Sequence, residues 1–294
     1  MKFLIFYFLA AVFVFFAEKS KAAIPDEHKG FYGISHGLAG GGSAFVSGLD
    51  ALRLNPSLIL QEKRYKILAS YGVPANEGRK FYSLGFIDSF SSPLAAALSY
   101  SSFTRSYEKN NLDQTPIKDR IHLALAYSFK LISIGALAQK INYYEANTEK
   151  QLYLFNLGFL FPLNQSFRLA ASVENLEKNE KVPSALGIYP IWRGGLAYVS
   201  QDEKLSLLFD YKQSKRKEVF TKHLIAGAHF KASESLVFMG GYSYGIVESE
   251  GDDSFSFGLS LLSELMEINY GVIVSSSATK HKTSHGISLS YALH

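Results

Sequence analysis

From Arg64 to the C-terminus, large apolar residues recur at every second position, and the positions between them are small or mildly polar. Tyr65, Ile67, Ala69 and Tyr71 alternate with Lys66, Leu68, Ser70 and Gly72. Ile121, Leu123, Leu125 and Tyr127 alternate with His122, Ala124, Ala126 and Ser128, and Phe255, Phe257, Leu259 and Leu261 follow the same rule. Successive side chains of a strand point to opposite faces, so each series builds one bulky apolar face and one small face. A soluble sandwich would bury the bulky face and expose Thr, Lys and Glu on the other. Here the second face is mostly Ser, Gly and Ala, with scattered Arg168, Glu174, Arg193, Lys204, Asp210, Glu267 and Asn269. That suits the interior of a barrel whose bulky face meets lipid. Aromatic residues close several series, as in Tyr127 and Phe129 or Tyr242 and Tyr244, where interfacial girdles would lie. The expected fold is all-β: a transmembrane antiparallel β-barrel of about 14 strands.

The pattern places strands at 64–73, 79–88, 93–104, 117–129, 131–144, 149–162, 167–176, 191–200, 203–213, 221–231, 234–244, 253–261, 265–275 and 283–293. Links near Ser89–Ser92, Lys130, Asn164–Gln165, Gln201–Asp202, Ala232–Ser233 and Ser263 are short. Those at Ser106–Pro116, Glu177–Pro190, Ser214–Phe220 and Tyr244–Asp252 are expected to be longer and polar. Short periplasmic turns opposite longer outer loops, with an even strand number, fit an outer-membrane barrel whose termini lie in the periplasm.

The first 22 residues have the form of a cleaved signal peptide. Lys2 precedes an uncharged apolar run from Phe3 to Ala17, and Ser20 and Ala22 sit at cleavage spacing. The run is shorter than the roughly 20 residues a spanning helix needs, and no later stretch approaches that length. The expected organisation is a signal peptide at 1–22, an N-terminal plug or hatch at 23–63 and the barrel at 64–294, placed in a bacterial outer membrane. The chain has no cysteine, which removes disulfides and thiolate metal sites. A net charge of +4 argues against nucleic acid as a partner, and Lys215-Arg216-Lys217 is most simply a solvated loop.

Residues Ala23 to Lys63 do not alternate. Gly40-Gly41-Gly42 leads through Ser43, Ala44 and Asp50 to Asn55-Pro56-Ser57. Neither the Walker spacing nor the dinucleotide fingerprint is present, so the glycines are not a phosphate cradle. The order Gly41, Gly42, Ala44, Asp50, Asn55, Pro56 resembles the N-terminal signature of the FadL-like and PorV-type outer-membrane family, with Ser57 and Leu58 in place of the usual Ala-Gly. The resemblance implies a fourteen-stranded barrel with a short N-terminal plug containing a small helix. It also implies transport of small hydrophobic compounds, or alternatively a scaffold or secretion-associated role in which a protein partner is bound. Pro56 cannot continue a helix, so Asn55-Pro56 is expected to end the plug helix where the first strand begins.

In the last strand, the order from Ser284 to Tyr291, with Gly286, Leu289 and Tyr291 at its key positions, resembles the insertion signal read by the outer-membrane assembly machinery. It departs from that signal in stopping three residues before the end. The eight histidines are scattered, with His223 and His229 sharing one face of a strand, and none forms a ligand pair on a helix. No catalytic, metal or cofactor site is expected. The expected partners are outer-membrane lipids, the assembly machinery and a hydrophobic small molecule. Under transport, Gly258→Phe and Ser256→Phe should impair ligand passage while leaving assembly intact; under a scaffold role, changes in the Glu177–Pro190 loop should be felt.

Overall fold

In the computed structural model the described residues are 33–73, 80–104, 117–145, 148–176, 186, 188–216, 219–247, 251–276 and 281–293. The expected signal peptide at 1–22 and residues 23–32 lie outside them, as do the expected Ser106–Pro116 loop and most of the Glu177–Pro190 loop.

Backbone N–H and C=O groups facing lipid must all be paired, and closing a sheet on itself is how strands achieve this. The strands do so here. They are β1 (Tyr65–Val73), β2 (Lys80–Asp88), β3 (Leu94–Thr104), β4 (Ile117–Ser128), β5 (Ser133–Glu145), β6 (Thr148–Pro162) and β7 (Phe167–Glu174). Then follow β8 (Ile191–Val199), β9 (Leu205–Arg216), β10 (Val219–Ser233), β11 (Leu236–Val247), β12 (Gly251–Leu262), β13 (Met266–Ser276) and β14 (His281–Leu293). Each strand pairs antiparallel with its successor, and β14 closes the barrel on β1 with Ala69 opposite Leu289. Every strand falls within three residues of its expected bounds.

The alternation resolves as the sequence implies. Leu84, Leu98, Leu123, Phe155, Phe209 and Phe257 are exposed on the outer face, while Ala97, Ala124, Ala126, Ser99 and Ser256 are buried inside. The inner face is less uniformly small than expected: Leu137, Ile141, Leu152, Leu154, Leu208 and Ile273 are also buried there. Lys204 belongs to the turn before β9 and not to the inner face.

Two connections differ from expectation. Val219 pairs with Arg216 and Ile246 with Gly251, so the regions around Ser214–Phe220 and Tyr244–Asp252 are largely strand. A polar composition reads as loop, but a hairpin that rises beyond the lipid needs only backbone pairing to continue.

Inside the barrel runs the segment from Gly33 to Arg64. It comprises α1 (Ile34–Gly37), α2 (Leu49–Leu54) and a 3₁₀ helix (Pro56–Leu60). Leu38, Val46, Leu52, Leu54 and Leu58 are fully buried and share one hydrophobic cluster with the inward Leu68, Phe81, Ala95, Leu137, Leu208 and Val237. Among the described residues no helix is long and apolar enough to cross a membrane. Asn55 does end α2, but Pro56 then opens the 3₁₀ helix and β1 begins only at Tyr65. A proline is as well suited to the first position of a helical turn as to ending a helix.

Candidate functional site

The internal segment is held by polar groups whose partners lie far away in sequence. Asp210 of β9 accepts hydrogen bonds from Gly42 N (2.6 Å), Ser43 N (2.9 Å) and Ser43 Oγ (2.9 Å). Gly42 stands at φ +103°, a backbone region costly for any side chain, so the turn that aims both amides at Asp210 calls for glycine. Asn55 is saturated: its Nδ2 donates to Ser43 O and Phe159 O, both at 3.0 Å, and its Oδ1 accepts from Ser57 N (3.1 Å) and Ser57 Oγ (2.7 Å). A fully paired buried amide fixes one geometry, since losing any partner leaves a costly orphan. A side chain on Gly158 of β6 would overlap Asn55 Oδ1 and stand 2.8 Å from Pro56 Cδ.

Further ties run round the wall. Ser172 Oγ of β7 donates to Leu54 O (2.6 Å), and Ser256 Oγ of β12 donates to Gly37 O (2.9 Å). The inward Gly85, Gly135, Gly195, Gly241 and Gly258 all lie where a Cβ would press on the segment or on the side chain that holds it. Gly258→Phe and Ser256→Phe would therefore displace the segment, so they are not expected to leave assembly intact.

Asp50 Oδ2 accepts from Ser35 N (2.9 Å), tying α2 to α1. Burial pushes its carboxyl above the usual carboxylate range, and the cation of Arg53 opposes that shift. A cavity of about 20 Å³, room for roughly one water, lies between Asp50 and Lys66, Ser70, Glu267 and Ser288. His36 Nε2 lies 3.0 Å from Ser284 Oγ of β14. Burial pushes the His36 imidazole down to about 3, and Arg53 and His285 act in the same direction.

The motif residues thus come together as a latch. Gly41 and Gly42 approach Asp210, Ala44 is buried in the main cluster, Asp50 holds α1, and Asn55 with Pro56 sits against Gly158 and Gly135. The three positions expected to form a C-terminal insertion signal do not join them. Gly286 faces inward opposite Gly72, and Leu289 and Tyr291 are exposed on the outer face.

Two further groupings escaped the sequence reading. Toward the long-loop end from the Gly135 and Gly158 contacts, Ile141, Tyr143, Leu152 and Leu154 form a separate buried apolar cluster on β5 and β6. Leu186 and Ile188 of the β7–β8 connection pack into it, as does Ile117. Beside it runs a polar row in which Ser99 Oγ lies 3.1 Å from His122 Nδ1 and Gln139 Nε2 donates to Asn175 Oδ1 (2.7 Å). The buried Arg193–Glu174 pair (2.6 Å) also faces the lumen. The even spacing of Ile141 and Tyr143, and of Leu152 and Leu154, on the inner parity was the available signal. His229 packs edge-on against Phe45 at 5.1 Å, and His285 stands 2.9 Å from Tyr270 OH. Among the described residues no group of three or more His, Cys, Asp or Glu could hold a metal ion.

No protein-family model and no curated protein matches the chain. Its structure resembles the Pseudomonas putida toluene transporter TodX at a TM-score of 0.67 and 12% identity, over 93% of this chain and 99% of that one. It resembles a Pseudomonas aeruginosa FadL homologue at 0.66 and 10% identity, over 94% and 100%. It resembles the CymD monoaromatic hydrocarbon channel at 0.64 and 13% identity, over 90% and 98%. At such identities the likeness establishes the fold, and the fold implied by the N-terminal motif is the one found.

Proposed function

We propose that the protein is an outer-membrane channel for small hydrophobic compounds, exported with a cleaved signal peptide and carrying residues 23–63 as a plug. The observation that carries this reading is the apolar cluster on the inner wall beyond the segment, where Ile141, Tyr143, Leu152 and Leu154 pack together with Leu186. Apolar side chains on that wall favour contact with an apolar solute over water, at about 25 cal/mol per Å² of surface covered. The fold shared with a toluene transporter and a monoaromatic hydrocarbon channel supports the same reading. In this account the plug blocks water-filled passage, and the solute enters from the long-loop end.

Native mass spectrometry of the protein gently extracted from its own outer membrane tests the proposal. The expected result is a reproducible small hydrophobic adduct that is absent from an unrelated barrel. A stoichiometric protein partner without such an adduct would overturn it in favour of the secretion-associated scaffold.

A further inference from the structure

The end of the barrel at which β1 begins and β14 ends has six turns, and they divide into two kinds. Residues 89–93, 129–132 and 163–166 join β2–β3, β4–β5 and β6–β7, and they carry one charge between them, Lys130. Their large side chains stand in the open: Leu131 is 79% exposed, Phe90 66%, Leu163 57% and Phe129 52%. Residues 200–204, 234–235 and 263–265 close the opposite side of the same rim. Apart from the half-buried Leu265 they are polar, with the carboxylates of Asp202, Glu203, Glu234 and Glu264 against Lys204.

Exposed apolar side chains at three consecutive turns form a patch that solvent does not favour. The patch is continuous with the outer apolar belt. Phe90 packs on the outward Tyr65 at 5.7 Å between ring centroids, and Phe129 packs on the outward Tyr127 at 4.8 Å. Two residues past a strand end add about 6 Å of height, so the apolar surface on this side reaches that much further. The charge pattern agrees. The single charge within the three apolar turns is Lys130, which can bury its stem and reach a phosphate. The Asp88 carboxylate at the base of the β2–β3 turn is occupied by Phe90 N, Ser91 N and Ser91 Oγ. The opposite turns carry four carboxylates, of which Glu234 pairs with Lys231.

We infer that the β2–β7 side of this rim docks into the phospholipid leaflet, with Phe90, Leu131 and Leu163 at acyl-chain depth and Lys130 at the anionic headgroups. The β8–β13 side stays in water, and the barrel therefore sits tilted. This inference rests on the membrane-spanning reading above.

Trp192 is the sole tryptophan, so a Trp192→Phe background permits single-tryptophan depth measurements on the full chain. The chain is reconstituted in phosphatidylethanolamine–phosphatidylglycerol vesicles whose acyl chains are brominated. Phe209→Trp, on the outer face in mid-strand, reports the belt. Leu131→Trp and Leu163→Trp are expected to be quenched as strongly as Phe209→Trp, while Asp202→Trp and Glu264→Trp are not. If Phe209→Trp is quenched and all four rim positions are not, the patch faces water and the inference fails. Equal quenching at all four rim positions also overturns it, because the two sides then sit alike. An unquenched Phe209→Trp takes down the membrane-spanning reading itself. Should a tryptophan variant fail to fold, Leu131→Cys and Asp202→Cys in this cysteine-free chain give a second readout. A polar thiol reagent is expected to label the second much faster than the first, and equal rates would overturn the inference.

Discussion

The backbone N and the Oγ of Ser43 both donate to the carboxylate of Asp210, each at 2.9 Å, across 167 residues of sequence. The contact joins the internal segment to the middle of the barrel wall. Because the carboxylate is buried, it is stable there only while its donors are present. Segment and wall are therefore mutually dependent.

Asp210→Ala is expected to leave the Gly42 and Ser43 amides without an acceptor. An unpaired buried polar group costs about 1–3 kcal/mol, so a loss of about 3 kcal/mol is expected, with Asp210→Asn milder because it keeps one acceptor. Thermal unfolding followed by heat-modifiable migration checks the stability. Limited proteolysis checks that cleavage within 33–64 rises before the barrel opens.

Gly158→Ala is expected to force Asn55 and Pro56 off the wall at a cost of about 1–3 kcal/mol, the range for overpacking. The same substitution at Gly194, where a Cβ would meet nothing within 4 Å, is expected to stay within about 0.5 kcal/mol. Equal unfolding temperatures for the two variants would contradict the packing described.

His36 carries a pH dependence whose sign follows from its depressed value. A histidine at 6.5 in water and about 3 when buried stabilises the closed arrangement fully above pH 6.5, and this contribution is lost as pH falls toward 3. At pH 5 the loss is about 2 kcal/mol. The stability difference between wild type and His36→Gln is expected to shrink by that amount between pH 7.5 and pH 5. A constant difference would contradict the burial of His36 beside Ser284.

The pairs in these predictions show what sequence could and could not supply. Strand positions and face assignments were readable because parity is a local property: Leu123 faces out and Ala124 faces in whatever pairs with them. Which inward residues meet is set by register and by the stagger around the closed barrel. Ser99 beside His122, or Ser172 beneath Leu54, therefore has no local trace. Asp210 was visible as a polar residue on an apolar strand, but its partner was not. Asn55-Pro56 was visible as a break, yet the saturated amide that makes it a latch depends on Phe159, which β6 brings alongside. Among the described residues, polar composition misled near Ser214–Phe220 and Tyr244–Asp252, where backbone pairing continues, and at Lys204, which belongs to a turn.

Leu154 lies fully buried in the apolar cluster on the inner wall, and Leu154→Asn changes its polarity at similar volume. The most direct test of the channel reading compares uptake of a labelled small aromatic hydrocarbon by cells with an intact lipopolysaccharide leaflet. The cells carry the wild-type protein, Leu154→Asn at equal outer-membrane abundance, or neither. The account predicts uptake well above background for wild type and several-fold less for the variant. Wild-type uptake no faster than in cells lacking the protein would contradict it.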